Sequence, residues 1–169
     1  MQKPTLAILA MASACLLGQA QAKEESRQLG PHEHGHGTLN IAIERNTLDL
    51  EFEAPGIDIV GFEHEATTPE QKALVDNARK DLGEGILSLF VFSEAAGCKL
   101  EFNEVTVVAE EPHDEEEKQS EGATVQEPEY HTAFHATYRL TCSAPDQIRS
   151  IEFPFFARFP GSQELDITV

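Results

Sequence analysis

Between Thr38 and Glu53 the chain reads TLNIAIERNTLDLEFE, with apolar side chains at every second position: Leu39, Ile41 and Ile43 before Arg45-Asn46, and Leu48, Leu50 and Phe52 after it. A period of two lays one side of a strand on a core. The pattern therefore predicts a β-hairpin turning at Arg45-Asn46, although that dipeptide is not among the favoured turn pairs. APGIDIVGFEHEATTPE, punctuated by Gly and Pro, predicts a loop carrying Asp58, Glu63, His64 and Glu65. The period then becomes helical. Thr68 is positioned to cap, Pro69 stands in the first turn, Gln71 follows three residues after the cap, and Leu74, Ala78 and Leu82 lead to a stop at Gly83. GILSLFVFSEAAG is apolar on every side and therefore interior, either as a buried strand or, the reading favoured here, as a second short helix.

Alternation returns at Cys98–Val108, CKLEFNEVTVV, with a slip near Asn103-Glu104, and again in YHTAFHATYRLTC, where Phe134, Ala136, Tyr138, Leu140 and Cys142 share a face. The intervening residues 109–129 have no apolar period and a dense run of acids, which predicts a mobile loop. SAPDQIRSIEFPFFARFPG predicts a helix or turn with a Phe-rich docking segment, and QELDITV a last strand. Strands interrupted by one helical block make an α+β fold: a single domain with an antiparallel β-sheet and one or two helices packed on it.

The first 22 residues change the compartment. MQKPTLAILAMASACLLGQAQA has Lys3 near its start, an apolar stretch from Leu6 to Leu17, and Ala20 and Ala22 in the arrangement of a cleavage site. It reads as a secretory signal removed after Ala22, too short to span a bilayer. Cys15 offers a rival as a lipidation cysteine, but Ala12 is a weak residue for that signal. The domain is then residues 23–169 in the periplasm, with no membrane insertion of the mature chain. The formal charge of the whole chain is −18, and the segment removed carries only Lys3, so the mature chain is more acidic still. Such a surface repels nucleic acid and anionic lipid. Two cysteines remain, Cys98 and Cys142, and in an oxidising compartment they form one disulfide. Oxidation removes thiolates from the ligand supply and leaves imidazole and carboxylate for any borderline metal.

Seven histidines are available, and three of them, His32, His34 and His36, alternate in HEHGHG. On a strand, neighbours on one face stand about 6.8 Å apart, so two such imidazoles can converge on one ion at about 2.0 to 2.1 Å. His32 and His36 would stand about 13.6 Å apart on a straight strand. Gly35 and Gly37 let the backbone bend or bulge and bring the outer rings inward. Two readings stay open, a metal tract and a His-rich tail, because the signal is compositional. His64 lies between Glu63 and Glu65, either of which can orient its second ring nitrogen, and Glu33 is placed to do the same for the tract. His131 and His135 are four apart on a predicted strand, which assigns them to different sites or leaves one a bystander. His113 in the acidic loop would belong to a weak cation collector. That loop lacks the D-x-[DN]-x-[DN]-G pattern of a calcium loop.

HEHGH at His32–His36 has the letters of H-E-x-x-H, but that motif works on a helix, where its two histidines share a face, and this tract reads as a glycine-flexed strand; there is no G-x-S-x-G and no P-loop, and GEGILS at Gly83–Ser88 fails the dinucleotide pattern at its last position. A metal-dependent hydrolase built from separated ligands and a water remains an alternative. HEHGHGTLNIAIE, LDLEFEAPGIDIVGFEHEA and the FHATYRLTC before SAP, taken in this order, resemble the ZrgA-like periplasmic zinc-uptake proteins. The resemblance implies a zinc-binding accessory protein that assists zinc acquisition and feeds a zinc importer component. It also implies a His-rich loop between the disulfide-bearing strands, and here this sequence departs: EEPHDEEEKQSEG has one histidine among many acids. The chain also ends at Val169, earlier than the resemblance implies, which leaves a terminal strand or helix unaccounted for. The expected function is binding of Zn²⁺ without catalysis. Buffering or chaperoning Cu or Ni is an alternative, since the same ligands suit those ions. The expected ligands are His32, His34, His36, His64, His131 and His135, with Glu33, Glu63, Glu65 and His113 in a supporting or weak-binding role.

Overall fold

A computed structural model of the protein describes residues 33–110 and 131–169. Strand β1 (His36–Glu44) and strand β2 (Thr47–Pro55) form the hairpin, with Leu39 opposite Phe52, Ile41 opposite Leu50 and Ile43 opposite Leu48. Arg45 takes a positive φ of 54° to make the turn tight. Asn46 ties that turn to the sheet, because its side-chain amide donates to the Cys142 carbonyl at 2.8 Å and its own carbonyl accepts from the Cys142 N–H.

The segment after β2 opens with a short helix, α1 (Gly56–Val60), where the punctuation predicted only loop; Gly61 ends it at φ 84°. Helix α2 (Pro69–Glu84) begins with the expected capping box: the Thr68 hydroxyl accepts from the Gln71 N–H and the Gln71 side chain accepts from the Thr68 N–H. It runs through Gly83 by one residue. The all-round apolar stretch is divided: α3 (Ile86–Leu89) is the second short helix, but Phe90 is extended and strand β3 (Val91–Phe92) and a 3-10 turn over Glu94–Ala96 follow. The aromatic side chain at 92 suits the pleated pairing it finds with Ile151 of strand β6 (Ile151–Glu152), while Phe90 packs on Phe52 and Phe155 in the core.

Strand β4 (Cys98–Glu110) pairs with β5 (His131–Cys142). The register slip falls between Leu100 and Phe102, ahead of the expected Asn103-Glu104. It reverses the parity of β4, so Leu100 faces Leu140 while Val105 and Val107 face Ala136 and Phe134; Phe102, opposite Arg139, is left outside. Ala109 and Glu110, expected in the acidic loop, belong to β4, and the rest of that loop, with His113, lies outside the described residues, as do the expected signal segment and His32. Helix α4 (Phe155–Arg158) and strand β7 (Glu164–Thr168) complete the chain.

The sheet order is β4-β5-β2-β1-β7. Four strands are antiparallel to their neighbours, and β7 alone lies parallel to β1. A parallel neighbour requires a crossover. Residues 143–163 supply it, carrying Phe155 and Phe159 into the core. Phe155 meets Phe52 at 5.3 Å and Phe159 at 5.3 Å between ring centroids, while Ala78, Leu82, Ile86 and Leu89 cover the same core from the helices. The result is an α+β single domain with helices on one face of its larger sheet. Among the described residues no helix is long and apolar enough to cross a membrane.

Cys98 and Cys142 form the expected disulfide, joining the start of β4 to the end of β5 across 44 residues. In the chain-entropy account a closed loop of that length stabilises the fold by about 4 kcal/mol. Replacing both cysteines with alanine is expected to lower the unfolding free energy by an amount of that order, read as a lower guanidinium midpoint.

Candidate metal centre

Strand polarity brings three parts of the chain to one end of the sheet. The start of β1, the exit from β2 through α1 and the start of β5 all lie there, because β2 is antiparallel to both neighbours. His34 stands in the turn before β1, closed by the His36 N–H donating to the Glu33 carbonyl at 3.1 Å. Glu63 follows Gly61, and His131 is the first residue of β5. His34 Nε2 is 2.8 Å and His131 Nδ1 3.0 Å from the same Glu63 oxygen, Oε2. Each of the three residues offers one donor atom, and these atoms lie within 4.8 Å of one another. Ligand atoms about 2.0 to 2.1 Å from a tetrahedral ion stand roughly 3.3 Å apart. Small side-chain adjustments would therefore close the three around one ion.

Burial acts to raise the Glu63 carboxyl pKa, but hydrogen bonding to His131 and His34 outweighs it and holds the group below its ordinary value. Both imidazoles are substantially exposed, 58% for His34 and 44% for His131, while Glu63 is 25% exposed. The arrangement is an acidic centre open on one side. Behind it lies Asp58, 5% exposed, whose two oxygens each sit 2.9 Å from the Gly35 nitrogen and accept its N–H. Desolvation pushes the Asp58 carboxyl up, and that hydrogen bond works against the shift.

The other expected ligands are elsewhere. His36 points to Glu164 across the β1–β7 pair, with Nδ1 3.7 Å from Oε2. His64 stacks on Phe62 at 5.0 Å between centroids, with Nδ1 donating to the Glu65 carbonyl at 2.9 Å and Nε2 3.4 Å from the Gln71 amide nitrogen. Its position beside α2 turns it away from the cluster, so Glu63, expected to orient His64, instead meets His34 and His131. Glu65 contributes only its backbone carbonyl to His64, and Glu33 its carbonyl to the β1 turn. His135 lies four residues along β5 from His131, with Nδ1 3.7 Å from Glu53, and its buried Nε2 has no hydrogen-bond partner among the described residues. Asp58 had no role assigned from the sequence. The available signal was an acid set inside the apolar run Ile57-Asp58-Ile59-Val60, where burial demands a polar partner.

An α+β domain presenting two imidazoles and a carboxylate at an open sheet end falls in the class of candidate metal-binding domains. The chain belongs to the family described as ZrgA family zinc uptake protein, whose profile matches residues 31–169. That range takes in every described element and all three clustered side chains, and it ties the chain to zinc. No curated protein matches the chain.

The hydrogen bonds on Glu63 carry a linkage consequence. Its folded pKa is below the unfolded value, so its contribution to stability is present above the unfolded value, about 4.3, and is lost as the pH falls through the folded pKa. In metal-free protein the Glu63 carboxyl carbon is expected to titrate by NMR with a midpoint below that of an ordinary glutamate. Glu63→Gln is expected to be less stable than the parent at pH 7, with the gap narrowing as the pH falls through the folded-state pKa.

Proposed function

We propose that this protein is a periplasmic zinc-binding accessory protein that collects Zn²⁺ and passes it to a zinc importer component. The observation that carries this reading is the convergence of His34, Glu63 and His131, three residues far apart in sequence, on one exposed point. Imidazole and carboxylate suit a borderline ion. A structural zinc site is closed by four protein ligands, whereas three ligands at an open surface leave a coordination position for water or for a group on an acceptor. Family membership supports zinc as the ion and uptake as the process. The Lys3-led apolar segment ending at Ala22 supports export, and Cys98–Cys142 accords with an oxidising compartment. Net charge works in the same direction, since an acidic chain draws divalent cations toward it.

Purified mature protein is expected to bind one Zn²⁺ at this centre. His34→Ala, Glu63→Ala and His131→Ala should each weaken it at least about ten-fold by chelator competition, on the scale of a lost ligand or ligand-orienting group. His64→Ala and His135→Ala should titrate like the parent. If all five variants bind alike, the centre is wrongly placed. Preference for Cu²⁺ or Ni²⁺ over Zn²⁺ in metal-buffered competition, beyond the general affinity order, would favour a different cargo.

Proton competition provides a separate check. Imidazole ligates only when neutral and its unperturbed pKa is about 6.5, so two histidine ligands make affinity fall by roughly ten-fold per histidine for each unit below about pH 6. Zinc affinity is expected to sit near its plateau at pH 7.5 and to collapse by pH 5.5. A flat profile would mean that carboxylates alone hold the ion.

A further inference from the structure

His34 is presented by a turn whose next residue, Gly35, is held on both sides of its peptide plane. Its N–H is accepted by both oxygens of Asp58 at 2.9 Å. Its carbonyl accepts from the Gln163 and Glu164 N–H groups, each at 2.8 Å. Its φ is +88°, in the left-handed region that favours glycine, so a side chain there would be strained by the backbone conformation itself. Asp58 is itself pinned: it lies in α1, and Gly161 packs so closely that a Cβ at 161 would come within 2.5 Å of the Asp58 carbonyl oxygen. The buried carboxylate thus joins α1 to the turn bearing His34, and the Gly35 carbonyl joins that turn to the approach to β7, while Glu63 follows three residues after the end of α1.

We propose that Asp58 is a positioning residue for the metal centre: by hydrogen-bonding the Gly35 N–H it sets the turn that aims His34 at Glu63 and His131. This inference rests on the zinc reading of that cluster. A buried carboxylate with no such task is an expensive choice for a protein interior, and symmetric acceptance by two oxygens suits a carboxylate better than an amide. The effect is that of an outer group fixing a ligand's orientation, a kind of contact whose loss typically weakens metal binding by about ten- to a hundred-fold. Here it acts through one residue of backbone.

The test compares zinc affinity by chelator competition at pH 7.5 for the parent, Asp58→Ala, Asp58→Asn, Leu82→Ala and His131→Ala, at a temperature where circular dichroism shows each folded. Asp58→Ala is expected to bind about ten- to a hundred-fold more weakly, and its Co²⁺ form to show altered d–d bands. Asp58→Asn keeps one acceptor oxygen and should recover most of the affinity. Leu82→Ala, a buried change at the far end of α2, should lower the melting temperature and leave the affinity alone. If Asp58→Ala fails to fold, Asp58→Ser, which retracts the acceptor, replaces it with the same expectation. Parent-like affinity in Asp58→Ala, equal losses in Asp58→Asn and Asp58→Ala, or an equal loss in Leu82→Ala would each overturn the assignment. Parent-like binding by His131→Ala would instead defeat the zinc reading of the cluster, so the two failures are distinguishable.

Discussion

The register of β2 is the constraint on which the rest of the structure depends. This strand lies between β1 and β5 and buries Leu48, Leu50, Phe52 and Ala54 on alternate positions. A slip of one residue would turn those four side chains to solvent and bring Asp49, Glu51 and Glu53 into the core. The loss would far exceed any gain from other pairings, since each fully buried Leu or Phe side chain is worth about 1.5 to 3 kcal/mol. Phe52 also anchors the aromatic cluster with Phe90 and Phe155, so the crossover leading to β7 depends on the same register.

Register and polarity together place the candidate metal centre. With β2 antiparallel to both neighbours, the starts of β1 and β5 and the exit from β2 share one end of the sheet. The strands are held by ladders and by side-chain burial, while the residues just outside them are free to face solvent. His34 in the turn before β1, Glu63 in the segment after α1 and His131 at the first residue of β5 meet at that end, with both imidazoles substantially exposed. The opposite end is tied by the Cys98–Cys142 disulfide and by Asn46. Mechanical constraint and open chemistry are thus placed at opposite ends of the domain.

Electrostatics sharpens that division. The chain is acidic throughout, yet nonspecific negative charge in water attracts a divalent ion only weakly because solvent and salt screen it. What distinguishes Glu63 from the many other acids is partial burial and two imidazoles on one of its oxygens. Those hydrogen bonds keep the carboxyl ionised at the acid end of its range, and they hold the three side chains together at one point.

Local chemistry made much of the secondary structure readable from the sequence alone. Alternation specified the hairpin, β4 and β5; the Thr68–Gln71 capping box specified the start of α2; and the two cysteines outside the N-terminal segment that reads as a secretory leader specified the disulfide pair. These features depend on neighbours within a few residues, or on a choice with one outcome. The parallel placement of β7, the division of Ile86–Phe92 between helix and strand, and the bulge beside Leu100 depended on what each segment packed against, which local pattern does not encode. The candidate ligands divide in the same way. His34, Glu63 and His131 were visible as residue types capable of holding a metal, and spacing drew attention to His36 and His64 equally. Only the tertiary structure brought three of them together, because such a cluster is assembled by strand polarity and backbone turns across a chain distance of 97 residues from His34 to His131, and side-chain chemistry carries no record of that distance.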